Sequence, residues 1–296
     1  MKKQIFKGIA TALITPFKDG TVDYETFGRI IDFQIDAGIN ALVACGTTGE
    51  ASTLTDEEHR EAIAYAVRRA AGRVPVIAGT GSNDQSYALD LTRYACDEAG
   101  ADGVLLVTPY YNKATQGGLI KMYTELADAA SKPVILYNVP SRTGVNIEPT
   151  TYAALAEHPN IVAFKEANGN LSKIVETVSL VGDRLAMYSG NDDQIVPLMS
   201  LGGIGAISVL SNILPSETVA ICDRFFAGDI KGSAALQCRY HALINALFSE
   251  VNPIPVKAAM SAMGYGENSL RLPLTEMESA HERALLDLMR KEGLSV

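Results

Sequence analysis

Several side chains suited to carbonyl chemistry stand at the ends of apolar runs in this chain. Lys165 closes the run Ile161 to Phe164 and is followed at once by Glu166 and Ala167. Burial disfavours an ammonium ion and brings a lysine down from about 10.4 toward neutrality, which leaves a free amine able to attack a carbonyl. The competing reading is a structural lysine whose stem finishes the strand and whose head reaches solvent. Tyr137 ends the run Val134 to Leu136 and offers a phenol that can pass a proton, and Arg142, a few residues on, offers a planar fork for a carboxylate. Thr47 and Thr48 sit between glycines in the string GTTGE, where backbone N–H groups and hydroxyls can converge on an anion; a polar turn capping the next helix is the plainer account. Tyr110 and Tyr111 follow another run, where packing or an interface is the commoner use of such a pair, and Gly190 and Ile207 close the list of strand-end candidates. An amine, a proton-carrying phenol, an anion cradle and an arginine on one rim point to a Schiff base with a keto acid.

The elements that must position these groups form a regular series. Eight Val-, Ile- and Leu-rich runs begin at Gly8, Ala41, Val74, Gly103, Pro133, Ile161, Leu185 and Gly205, about 20 to 33 residues apart, with amphipathic segments between them. Continuous apolar runs suit strands buried on both faces, and eight strand-plus-helix units predict an α/β fold, a (β/α)₈ TIM barrel whose chemistry sits at the C-terminal ends of its strands. Thr55 before Asp56, Glu57 and Glu58 predicts a capping box; Asp84, Ser172 and Asp192 are further expected helix starts, and Gly38, Gly72 and Gly100 expected ends. After Gly228 the strand signal stops, and helices are expected over Ile230 to Phe248, Pro255 to Met263 and Glu276 to Lys291. The expected division is a catalytic barrel over residues 1–228 and a small all-helical domain over 229–296. An open doubly wound sheet is the rival, but Gly79, Thr80 and Gly81 lack the GK[ST] or GxGxxG continuation of a phosphate loop.

Composition narrows the function further. A net charge of −9, a pI near 5.0 and no basic stripe argue against nucleic acid. The start, MKKQIFKGIATALITPF, faintly imitates a secretory signal, but Lys7 and Gly8 interrupt the apolar run and Pro16 closes it. No run approaches the roughly 18 apolar residues of a membrane span, so no membrane association is expected. Cys45, Cys96, Cys222 and Cys238 are widely spaced, as expected of buried thiols in a reducing cytoplasm. His59, His158, His241 and His281 show no ligand spacing, and neither a metal nor a cofactor is expected.

The strings GTTGE, VTPYYN at Val107, YNVPSRTG at Tyr137, FKEANGN at Phe164 and NPIPVK at Asn252, ordered along nearly the whole chain, resemble the pyruvate-dependent aldolase and lyase family typified by dihydrodipicolinate synthase. That resemblance implies Lys165 as the Schiff-base residue, Tyr137 as proton carrier with Thr47 and Tyr111 in a hydroxyl relay, and Thr48 on the pyruvate carboxylate. It implies Arg142 on the carboxylate of L-aspartate 4-semialdehyde, with Gly190 and Ile207 lining the pocket, in a route to diaminopimelate and lysine. It also implies a homotetramer, a dimer of dimers with Tyr111 acting across the tight interface. A lysine-feedback site is implied around Ser52, His59, Asn83 and Tyr110, but Ala51 stands where a serine is usual and Tyr87 where a glutamate would meet the lysine ammonium. Lysine inhibition is therefore expected to be weak or absent. Val251, where proline is common, is expected to matter little. A sibling lyase acting on N-acetylneuraminate or a keto-deoxy-sugar acid, and a catalytically silent binding barrel, are the alternatives.

Overall fold

The computed structural model describes Lys2 and residues 4–296; Met1 and Lys3, part of the basic N-terminus, lie outside the described residues. Each of the eight apolar runs contains a strand: β1 (Gly8–Ala12), β2 (Ala41–Ala44), β3 (Val76–Gly79), β4 (Gly103–Val107), β5 (Val134–Asn138), β6 (Ile161–Glu166), β7 (Ala186–Ser189) and β8 (Gly205–Ser208). They form a closed parallel barrel in sequence order, with β1 paired to β8. An antiparallel pair, Phe17–Lys18 with Thr21–Val22, lies outside the barrel and was not expected. Its turn holds Asp19 and Gly20, both at positive φ, which is the Asp-Gly signal of a tight hairpin.

Alternation along the strands divides the apolar interior in two. Ala10, Val43, Ile77, Leu105, Ile135, Ala163 and Ile207 belong to one buried cluster, the barrel lumen. Their neighbours Ile9, Leu42, Ala78, Val104, Leu136 and Phe164 belong to a larger cluster shared with the helices. Successive strand residues point to opposite faces, so the residue two beyond a lumen residue also faces the lumen. That rule sends Tyr137, after Ile135, and Lys165, after Ala163, inward and leaves Glu166 outward.

The Thr55 capping box is present: its side chain accepts from the Glu58 N–H while Glu58 accepts from the Thr55 N–H, a cap of about 1 kcal/mol. Asp84 caps the helix Gln85–Arg93, whereas the helix expected to start at Ser172 runs Leu171–Val181 and is capped by Asn170. Asp192 opens a short 3₁₀ turn ahead of the helix Ile195–Ser200. Gly38, Gly72 and Gly100 all take positive φ at or just beyond helix ends.

Beyond Gly228 the elements are helical: Ile230–Arg239, His241–Ala246, Ile254–Ala262 and Ser279–Lys291. The stretch expected to be continuous from Ile230 to Phe248 is thus broken at Tyr240. Cys45, Cys96 and Cys222 are buried, but Cys238 is exposed, which corrects the expectation of four buried thiols. Among the described residues, no helix is long and apolar enough to cross a membrane.

Candidate active site

Lys165 and Tyr137 face each other across adjacent strands, in register on β5 and β6. Both are buried, and the Lys165 Nζ stands 4.2 Å from the centre of the Tyr137 ring. Among the described residues no carboxylate forms an ion pair with this lysine. Gly190, after β7, explains how the amine keeps its room. A Cβ there would lie 3.0 Å from Lys165 Cε and 2.9 Å from Ala167 Cβ, so any side chain would press on the lysine stem. Its N–H donates to the Glu166 carbonyl at 2.8 Å, which ties the β7 end to the β6 end. Ile207 is buried in the lumen on β8.

The GTTGE loop folds as consecutive turns, with the Gly49 N–H donating to the Gly46 carbonyl at 3.0 Å and the Glu50 N–H to the Thr47 carbonyl at 3.1 Å. The Thr15 hydroxyl donates to the Gly49 carbonyl at 2.8 Å. Glu50, at φ 52°, takes a left-handed conformation uncommon for a residue with a Cβ. Its carboxylate is held from both sides: Oε1 accepts from Lys257 Nζ at 2.5 Å and Oε2 from the Arg271 N–H at 3.1 Å. Lys257 is fully buried, its Nζ also lying 4.1 Å from the Phe17 ring centre; burial pulls its ammonium down while Glu50 opposes the shift. Sequence reasoning passed over this pair, although Lys257 stands in an apolar helix, much as Lys165 stands in an apolar strand.

Arg142 lies on the short helical turn Pro140–Thr143, which Pro140 starts and Gly144, at φ 68°, ends. The Arg142 Nη2 donates to the Asn252 carbonyl at 2.8 Å, and the Asn252 Nδ2 donates to the Thr48 hydroxyl oxygen at 3.0 Å. Thr47, Tyr137 and Arg142 line a cavity of about 610 Å³ that also reaches Ser52, His59 and Tyr110. Lys165, Thr48, Gly190 and Ile207 are not among its lining residues, and Lys165 stands beside the lining residue Tyr137. Asn83 is also off the wall; its carbonyl accepts from Asn112 Nδ2 at 2.9 Å. Tyr111 is 92 % exposed, at φ 71°, and is not among the residues lining this cavity. Within the single chain no hydrogen bond between described residues joins Thr47, Tyr137 and Tyr111.

His59 is buried, and burial lowers its pKa. Its Nε2 is 2.9 Å from the Gly79 carbonyl, which can only accept, so the neutral ring donates there; its Nδ1 is left to accept from the Tyr87 hydroxyl at 3.2 Å. Asp56, the one carboxylate among the described lining residues, is paired with Arg60 at 2.8 Å.

Behind the lysine, Glu166 is buried in a cage of donors. Its Oε1 accepts from Asn138 Nδ2 at 3.0 Å and the Asn168 N–H at 2.9 Å, and its Oε2 from the Tyr152 hydroxyl at 3.0 Å. Burial pushes this carboxyl up to about 7 despite those bonds. Glu250, Glu278 and His281 gather far along the chain, with His281 Nδ1 2.8 Å from Glu250; their spacing had not suggested the grouping.

Comparison with known proteins gives a consistent picture. A family model described as the dihydrodipicolinate synthetase family matches residues 5–292. A 4-hydroxy-tetrahydrodipicolinate synthase from Lachnoclostridium phytofermentans is 56% identical over 292 residues, covering 98% of this chain and 99% of the relative. The crystal structure of dihydrodipicolinate synthase from Aquifex aeolicus, 46% identical, matches with a TM-score of 0.96 over 98% of this chain and 99% of that one. The chloride-inhibited dihydrodipicolinate synthase from Acinetobacter baumannii, solved in complex with pyruvate, is 43% identical and matches with a TM-score of 0.95 over 98% of this chain and all, 100%, of that one.

Proposed function

The chain belongs to the dihydrodipicolinate synthetase family, and we propose that it condenses pyruvate with L-aspartate 4-semialdehyde, the activity of a 4-hydroxy-tetrahydrodipicolinate synthase. The observation that carries this reading is the buried Lys165 amine, in no ion pair among the described residues and set 4.2 Å from the Tyr137 ring at the mouth of the barrel. Lys165 attacks the ketone of pyruvate and water leaves, giving an iminium that withdraws electrons from the methyl group. Loss of a methyl proton gives the enamine, whose carbon attacks the aldehyde. The amine of the second substrate then displaces Lys165 and closes the ring. Tyr137 carries protons in these steps, Thr48 holds the pyruvate carboxylate and Arg142 the carboxylate of the semialdehyde, with Gly190 and Ile207 shaping the pocket.

The same reading extends to assembly and regulation. The exposure of Tyr111 supports a homotetramer in which this phenol completes the hydroxyl relay, through Thr47, of a neighbouring subunit's site. The barrel over 1–228 carries the chemistry, the helices of 229–296 form a small domain, and the protein works in the cytoplasm. Lysine is a weak inhibitor or none, because around Ser52, His59, Asn83 and Tyr110 the Tyr87 hydroxyl already occupies His59 and offers no charge to an ammonium.

Borohydride reduction in the presence of pyruvate, followed by peptide mass analysis, tests the chemistry: the expected adduct is on Lys165, and no pyruvate-dependent adduct there overturns it. Turnover with aspartate semialdehyde and none with N-acetylneuraminate is expected; the reverse result assigns the chain to a sibling lyase.

A further inference from the structure

We infer that Asn252, in the segment leading to the helix Ile254–Ala262, is a positioning residue that sets the direction of the Thr48 hydroxyl hydrogen for the keto-acid carboxylate; this rests on the reading of Thr48 given above. Asn252 is buried and 204 residues from Thr48 in sequence, yet its Nδ2 lies 3.0 Å from Thr48 Oγ1. An amide nitrogen can only donate, so the Thr48 oxygen accepts there and its own proton is left to be given elsewhere. A substrate carboxylate, an acceptor only, is the group that needs such a proton.

The rest of Asn252 is arranged around the same rim. Its backbone carbonyl accepts from Arg142 Nη2 at 2.8 Å, so one residue stands behind both groups assigned to the two substrate carboxylates. Because that second contact uses the main chain, replacing the side chain separates the two roles. The Asn252 Oδ1 is buried with no hydrogen-bond partner, and reversing the amide would bring that oxygen to Thr48, where the hydroxyl would have to spend its proton on it. The position of the segment is fixed by the buried Lys257–Glu50 pair, one helical turn further on, which anchors it to the GTTGE loop itself. Thus the loop, the arginine and the segment are joined by direct contacts, and Asn252 Nδ2 is the one that orients a hydroxyl.

The test follows the pyruvate concentration dependence of the Lys165 borohydride adduct together with steady-state kinetics. In the unchanged protein a saturable adduct is expected; its absence sinks the Schiff-base reading rather than this one. Asn252→Ala should raise the pyruvate half-saturation about 5- to 10-fold, the loss of one hydrogen bond, with the KM for aspartate semialdehyde little moved. Asn252→Asp keeps the size but makes the hydroxyl donate backward beside a new negative charge, and should raise it on the order of a hundredfold. Thr48→Val combined with Asn252→Ala should cost no more than Thr48→Val alone, since Asn252 acts through that hydroxyl. A folded Asn252→Ala or Asn252→Asp with native pyruvate half-saturation, additive losses in the double variant, or equal rises in both KM values overturns the assignment.

Discussion

Two regions of this molecule each bury a lysine and a glutamate, and they do opposite things with them. At the seam between barrel and C-terminal helices, Lys257 and Glu50 meet at 2.5 Å and neutralise each other. At the end of β6, Lys165 and Glu166 are neighbours in sequence, but the strand pleat sends the lysine into the lumen and the glutamate toward the helices. They cannot pair. The seam therefore spends its charges on holding a loop, whereas β6 keeps an amine free for a carbonyl and a carboxyl high enough to hold a proton near neutral pH. Burial alone does not mark a reactive lysine; Lys257 is tied up in a 2.5 Å ion pair, whereas Lys165 is in none among the described residues and feels the buried Asp192 only at longer range.

The sharpest test of that contrast exchanges the lysines for an apolar side chain of similar length. Lys165→Met should abolish the pyruvate adduct and lower turnover by on the order of 10⁴-fold or more, since no other amine reaches the ketone, while unfolding in denaturant stays nearly unchanged. Lys257→Met should do the reverse. It leaves the Glu50 carboxylate buried with one oxygen unpartnered and should cost about 3–5 kcal/mol of stability, read from the urea midpoint. Adding Glu50→Gln should recover most of that loss, because the uncompensated charge is gone. Equal loss of stability in both lysine variants would erase the distinction between the two regions.

The difference in how these regions could be read from sequence has a physical origin. The strands were legible because each is buried on both faces and reads as an unbroken apolar run; which of Tyr137, Phe164 and Lys165 enter the lumen follows from the period of two only once the structure shows that Ile135 and Ala163 face inward. Lys165 and Tyr137 were legible as polar residues closing apolar strands, and Thr47 and Arg142 as residues just past strand ends. Lys257 carried the same signal, a cation in the apolar helix Ile254–Ala262, but its meaning depends on Glu50, 207 residues earlier. Likewise the contact of Asn252 with Thr48 exists only once the helices fold back on the rim. The hairpin at Asp19 and Gly20 was legible and overlooked, since its strands are too short to show alternation. The break at Tyr240 and the exposure of Cys238 depend on packing among the last helices, which periodicity does not rank.

The smallest expected effect probes the unpaired acid of β6. Burial raises Glu166 from 4.5 to about 7, so between those values the folded protein holds a proton that the unfolded chain has released. Stability must then fall as pH rises through that window and level off above it, the opposite of a salt-bridged carboxylate such as Glu58, which Arg271 holds down at about 2 and which loses its contribution as pH falls. Glu166→Gln mimics the protonated carboxyl: its oxygen keeps the Asn138 and Asn168 donors, and its amide donates to the Tyr152 hydroxyl in place of accepting from it. The variant should match the native protein near pH 5 and exceed it by about 1–3 kcal/mol near pH 8, with the slope between them removed. Urea unfolding at a series of pH values reads this directly. Parallel curves for the two proteins across the whole range would mean that Glu166 is already ionised at pH 5, and that the β6 carboxyl differs from its seam counterpart in position only.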